Sequence, residues 1–93
     1  MLRLIAYDIS DPKRLRRVAK VCLAFGARVQ LSVFECWLEN DRFEELVSRL
    51  KREISPQNDR IVFYSLDAQA AKRRLAIGAK PTFTDRPTGC LVL

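Results

Sequence analysis

Leu2-Arg3-Leu4-Ile5-Ala6-Tyr7-Asp8-Ile9-Ser10-Asp11-Pro12 opens the chain with an apolar run in which only Arg3 and Asp8 carry charge before the turn. The short run and the break at Ser10-Asp11-Pro12 suit a buried strand better than a helix. Asp11 is a natural N-cap for a helix beginning at Pro12, and proline fits that first helical position, where a missing N–H costs nothing. Leu15, Val18, Ala19, Cys22 and Phe25 then recur at helical spacing and define one apolar face, with Gly26 as the expected stop. The opposite face carries Lys13, Arg16, Arg17 and Lys20, with Arg14 beside them.

Beyond Gly26, residues 28–38 alternate: Val29, Leu31 and Val33 fall on one face, Gln30 and Ser32 on the other. Phe34 breaks the alternation, which signals either a bulge or a tight connection between two consecutive strands. A second helix is predicted from Asn40–Asp41, with Asp41 and Glu44 as a capping-box-like pair. Phe43, Leu46, Val47, Leu50 and Ile54 form its apolar stripe, and Ser55-Pro56 ends it. Ile61 to Leu66 reads as another strand. Residues 67–75 read as one or two helical turns bearing Lys72, Arg73 and Arg74. Gly78, Pro81, Pro87 and Gly89 then break the chain into loop before a last short strand at Cys90–Leu93. Strand, helix, one or two strands, helix and strand make a split βαβ pattern. The expected fold is α+β: a ferredoxin-like βαββαβ sandwich with one antiparallel sheet and two helices on one face.

A chain of 93 residues provides one domain, 1–93, with one core. Lys and Arg outnumber Asp and Glu by 17 to 11, a net charge of +6 that fits a polyanionic partner as well as simple solubility. Histidine is absent, which excludes a Ser–His dyad, a His general base and His metal ligands. Cys22, Cys36 and Cys90 are odd in number, far apart and set in apolar runs. They read as buried small hydrophobes in a reducing cytoplasm, not as a zinc site or a disulfide framework. No apolar stretch approaches the roughly 18 residues of a membrane span, and Arg3 interrupts the N-terminus, so no span or signal peptide is expected and the expected compartment is the cytoplasm.

Asp8 is the leading candidate for chemistry. A carboxylate at the end of a buried strand must be hydrogen-bonded, paired or metal-bound, because burying it alone costs several kcal/mol. One reading has it capping the nearby helix or accepting loop N–H groups, as Asp11 does. The other needs a two-fold dimer, which places two copies of Asp8 across the axis; magnesium is commonly held by one or two carboxylates with waters and a substrate phosphate. Such an ion activates water and stabilises phosphodiester charge without histidine. Lys13, Arg14, Arg16, Arg17 and Lys20 lie within eight positions with no acid among them, more one-sided than a solubility face needs, and are read as phosphate contacts. Trp37 and Phe34 could stack on bases, although aromatic residues in strands more often serve core or interface. Neither an RNA-recognition aromatic signature nor a Gly-rich phosphate loop is present.

Tyr7-Asp8-Ile9-Ser10-Asp11, Arg16-Arg17-Val18-Ala19-Lys20, Gly26-Ala27-Arg28-Val29-Gln30-Leu31-Ser32-Val33-Phe34-Glu35 and Tyr64-Ser65-Leu66 occur in this order. Together they resemble the second core CRISPR-associated protein family over residues 1–66. Residues 67–93 match loosely, as a variable C-terminal extension. The resemblance implies a homodimer built sheet to sheet, with the Asp8 pair holding magnesium for metal-dependent endonuclease chemistry, that is, phosphodiester hydrolysis. Asp8 takes the metal and catalytic role. Ser10, Asp11, Arg17, Arg28 and Phe34 accompany it as loop, phosphate-contact and interface positions. The implied cellular role is spacer acquisition with the larger adaptation integrase, the dimer bridging its subunits and holding duplex DNA. Whether DNA, single-stranded RNA or neither is cut stays open, and a related branch of virulence-associated, toxin-like endoribonucleases is the alternative.

Overall fold

The first strand, β1 (Leu2–Asp8), is central, and helix α1 (Pro12–Leu23) comes after it. A hairpin, β2 (Ala27–Gln30) and β3 (Val33–Trp37), leads to helix α2 (Asn40–Glu53) and back to β4 (Arg60–Leu66). The computed structural model describes residues 1–80 and the strand backbone at 83–84 and 91–92. β1 pairs antiparallel with β3 on one side and β4 on the other, and the sheet order is β2-β3-β1-β4. This is the βαββαβ arrangement expected from the order of periodic segments. A short helix, α3 (Ala68–Lys72), succeeds β4, capped by Asp67, whose carboxylate accepts from Ala70 N–H at 2.8 Å. The two-residue strands β5 (Phe83–Thr84) and β6 (Leu91–Val92) pair with each other. No described helix is long and apolar enough to cross a membrane.

The pleat divides β1 between two surroundings. Arg3, Ile5 and Tyr7 turn toward α1 and α2 and are buried, whereas Leu4 and Ala6 are half-buried and Asp8 is exposed on the other face. Ile5, Phe34 and Cys36 from the sheet close the core against Val18 and Cys22 of α1 and Leu46 and Leu50 of α2. Arg3 tolerates burial because every branch finds an acceptor: Leu38 C=O at 3.2 Å, Ser65 Oγ at 2.8 Å and Asn40 Oδ1 at 2.9 Å. Its guanidinium also lies 4.1 Å from the centre of the Phe43 ring.

Several local expectations change. The Asp41–Glu44 capping box does not form: α2 begins at Asn40, its N-cap Glu39 makes no side-chain cap bond, and Asn40 is drawn to Arg3 instead. Leu15 leaves the apolar face of α1 and is 39% exposed, because this end of the helix stands beside the end of β1 and not over the sheet. The broken alternation after Gly26 has both of its possible causes: a register shift between Arg28 and Gln30, and a turn at Leu31-Ser32. Leu31, expected on the apolar side of a strand, is therefore exposed at the hairpin tip. Gly26 does not adopt a left-handed stop; Gly78 is the one described residue with positive φ. The small size of Gly26 is needed because a Cβ there would sit 2.4 Å from both Cys36 Sγ and Glu35 C=O.

Candidate functional site

Asp8 ends β1 opposite Arg60, the first residue of β4. Its carboxylate is exposed and, among the described residues, engages no hydrogen bond or ion pair. Both structural tasks open to it are performed by other acids. Asp11 caps α1, its Oδ2 accepting from Arg14 N–H at 2.9 Å, and this bond is the main reason its carboxyl titrates below the ordinary value. The loop N–H of Ser10 goes to Asp59 Oδ1 at 3.1 Å.

Asp59 is a site residue that the sequence pattern does not single out. Its side chain is fully shielded from solvent and is surrounded by donors. Ser10 Oγ reaches Oδ1 at 3.2 Å, and Ser55 N–H reaches Oδ2 at 2.9 Å. Arg14 grips both oxygens, Nε to Oδ2 at 2.7 Å and Nη2 to Oδ1 at 3.2 Å. Arg14 first, and then the backbone donors of Ser55 and Ser10, hold the Asp59 carboxyl well below the usual carboxylate range against the opposing effect of burial. The same ion pair raises Arg14. The one signal that could have found Asp59 is positional: it adjoins the apolar run from Ile61 as Asp8 adjoins the first one.

The basic positions separate on inspection. Lys13, Arg16 and Lys20 project from α1 exposed, with no ion pair among the described residues. Arg17, also exposed, donates from Nε to Glu53 Oε1 at 3.1 Å, a surface contact that competes weakly with phosphate. Arg14, expected on this phosphate face, is instead turned to Asp59. Arg28 is half-buried, its guanidinium 5.1 Å from the centre of the Phe34 ring and its Nη2 3.5 Å from Tyr7 Oη. Phe34, expected at an interface, is wholly buried on the helix side, because it stands opposite Ile5 across the ladder. Ser10 and Asp11 are the loop positions expected, tied to Asp59 and to α1 respectively. Beside Asp8 opens a cleft of about 450 Å³ lined in part by Leu15, Arg16, Arg28, Leu31 and Ser32.

The open face of the sheet carries Leu4, Ala6, Val33, Val62 and, most exposed, Trp37 and Tyr64. Just after α3, Arg74 reaches this side, its Nε donating to Glu35 Oε2 at 2.6 Å. Among the described residues no group of three or more His, Cys, Asp or Glu side chains gathers to hold a metal ion. Asp8 alone therefore offers one hard oxygen donor, which suits magnesium only if waters, substrate or a second copy complete the set. Cys22 and Cys36 are buried and reduced; burial is the main cause pushing their thiols up to about 12 and about 11, so neither is a ready nucleophile. Cys90 lies outside the described residues.

Comparison with known proteins bears on the family and the fold. The family model described as CRISPR associated protein Cas2 matches residues 1–74. The chain is 43% identical to the CRISPR-associated endoribonuclease Cas2 of Nitratidesulfovibrio vulgaris, with 100% of this chain and 94% of that protein covered. It is 42% identical to a protein of the same description from Chloroflexus aurantiacus, covering 99% of this chain and 98% of the other. Among solved structures, Cas2 of Streptococcus pyogenes superposes with a TM-score of 0.75 at 40% identity, covering 84% of this chain and 100% of that one. A family match over residues 1–74, relatives covering nearly all of the chain and a shared βαββαβ sheet carry one conclusion: the protein belongs to the CRISPR associated protein Cas2 family.

Proposed function

We propose that the chain is a homodimeric nucleic-acid-binding subunit of CRISPR adaptation that also hydrolyses phosphodiester bonds with magnesium at a pair of Asp8 carboxylates. The observation that carries this reading is that Asp8 is exposed and, among the described residues, unengaged. Asp11 and Asp59 perform the capping and loop-holding tasks, and the pleat puts Asp8 on the open sheet face with Leu4 and Ala6. Trp37 and Tyr64 leave large apolar area on that face, 65% and 55% exposed, which a second copy packed sheet to sheet would cover. The same packing would bring the partner's Asp8 toward this one.

In that arrangement the two Asp8 carboxylates would hold magnesium, which supplies an activated water and stabilises charge on the phosphodiester. Lys13, Arg16, Arg17 and Lys20 bind phosphates along α1, and Arg28 contributes from the cleft beside Asp8. The relatives described as endoribonucleases favour RNA as the strand that is cut. The basic surface and the family's membership of CRISPR systems support duplex DNA and the larger adaptation integrase as the partners that are held.

The test is cleavage of single-stranded RNA and duplex DNA by wild-type protein and Asp8→Asn, with magnesium and with chelator. Cleavage that needs both magnesium and Asp8 supports the enzyme reading; undiminished cleavage by Asp8→Asn overturns it. Loss of spacer acquisition on charge reversal at Lys13, Arg16 and Lys20 supports the adaptation role, and acquisition that survives deletion of the protein overturns it.

A further inference from the structure

The geometry points to Asp59, together with Arg14 and Ser10, as a positioning lock that sets where the Asp8 carboxylate stands and thereby tunes its affinity for a divalent cation. The inference rests on the Asp8 metal reading and extends it to residues that touch neither metal nor substrate. The strand end that carries Asp8 is gripped at two points. At Asp8 itself the backbone is paired with Arg60. Two residues further on, both Ser10 N–H and Ser10 Oγ donate to Asp59 Oδ1, at 3.1 and 3.2 Å. Asp59 and Arg60 are neighbours, so both grips come from one corner of the chain.

That corner is held in turn. Ser55 N–H at 2.9 Å fixes Asp59 Oδ2 from the end of α2, and the Asp59 N–H donates to Ser55 C=O at 2.8 Å. Arg14 closes the loop from α1, bonding both oxygens of Asp59 and also Ser10 Oγ at 3.2 Å. A bidentate Arg–carboxylate pair with the acid side chain at 0% exposure is directional and costly to disturb. Among the described residues the Asp8 side chain has no such bonds of its own, so its placement comes from the backbone on either side. Groups that hydrogen-bond a metal ligand directly commonly change metal affinity by about 10- to 100-fold when removed, and a grip that acts through two residues of backbone is expected at the low end of that range. Across a two-fold axis an error in one Asp8 position is repeated in the other, which enlarges its effect on a shared ion.

The test uses the full chain and manganese as the probe, its affinity read by electron paramagnetic resonance, beside hydrogen exchange at the Ser10 amide. Asp59→Asn and Arg14→Ala are expected to weaken manganese binding about tenfold and to speed Ser10 exchange, with Arg14→Lys recovering part of both. Ser10→Ala removes only the hydroxyl contacts, and it decides on the same two readouts if Asp59→Asn fails to fold. Folded variants that lose Ser10 protection yet bind manganese like the wild type overturn the lock. Asp8→Asn separates the two levels. Loss of manganese there, with unchanged affinity in the lock variants, overturns the lock alone; manganese held undiminished by Asp8→Asn overturns the metal reading beneath it.

Discussion

Two carboxylates stand at one end of the sheet, Asp8 ending β1 and Asp59 in the loop just before β4, and their surroundings are opposite. Asp59 is shielded, receives bonds from Ser10, Ser55 and Arg14, and titrates far below the ordinary range. Asp8 is exposed and, among the described residues, unengaged. A buried charge is kept only where donors satisfy it, so Asp59 has no capacity left for a ligand. Asp8 has all of its capacity left. Residue type does not distinguish a structural acid from a functional one; the count of donors within reach does.

The contrast breaks most visibly when the second copy is removed. Asp59 acts within one chain, whereas the proposed pairing of Asp8 needs two. Trp37→Glu combined with Tyr64→Glu puts charge on the open face without touching either acid. If the proposed dimer forms, the double variant is expected to sediment as a monomer, and cleavage that depends on the paired site is expected to fall on the order of 100-fold or more. Its unfolding should still show the acid sensitivity of Asp59. A monomer that cleaves at the wild-type rate would mean that Asp8 works alone.

A second comparison sets the same substitution at the two acids. Asp59→Ala leaves Arg14 and two backbone N–H groups without their acceptor, and Tm is expected to fall on the order of 10 °C. Asp8→Ala removes an exposed group that makes no hydrogen bond or ion pair among the described residues, and its Tm should stay within about 2 °C of wild type. Scanning calorimetry of the two variants in one buffer decides the matter. Equal shifts would show that Asp8 has structural partners after all.

Much of the fold is legible in the sequence, and the features that are not share a cause. The first strand, α1 and β4 come from short-range periodicity, and Asp8 stands out because a charge ends an apolar run. Asp59 does not, since its partners are Ser10 and Arg14, 49 and 45 positions away, and no local pattern records such pairings. Arg14 falls on the phosphate face for the same reason: its helical position is compatible with that face, and only the distant acid turns it inward. Leu15 obeys the helical repeat, but a repeat cannot tell where the sheet beneath it ends. Phe34 is marked by a phase slip that periodicity detects without showing which side the strand resumes on. Its pairing opposite Ile5 of β1, which no local pattern records, settles it toward the helices.

Acid titration sharpens the contrast on a smaller scale. The Asp59 carboxyl is depressed in the folded chain relative to about 3.9 when unfolded, so its contribution is complete above that pH. It is lost as pH falls through the folded value, because the unfolded chain takes up the proton first. The wild-type Tm should therefore decline as pH falls below about 4. Asp59→Asn should start lower and decline less steeply. Parallel curves for wild type and Asp59→Asn would remove Asp59 from the account of acid stability.

The smallest effect separates two arginines of α1. Arg16 is exposed beside the Asp8 cleft, and Arg14, two positions earlier, is committed to Asp59. If phosphate contact is made by cations that have no acid partner, Arg16→Ala should lower the slope of log affinity for duplex DNA against log salt by about 0.9, the counterion contribution of one phosphate contact. Arg14→Ala should leave that slope unchanged and lower Tm, because its charge is already neutralised by a shielded carboxylate. Titration of a fluorescent duplex at several salt concentrations, with Tm measured on the same samples, reads both quantities. A slope change in Arg14→Ala equal to that in Arg16→Ala would mean that DNA competes successfully with Asp59 for Arg14. The lock beside Asp8 would then open whenever nucleic acid binds, and its grip on the strand end would depend on the ligand.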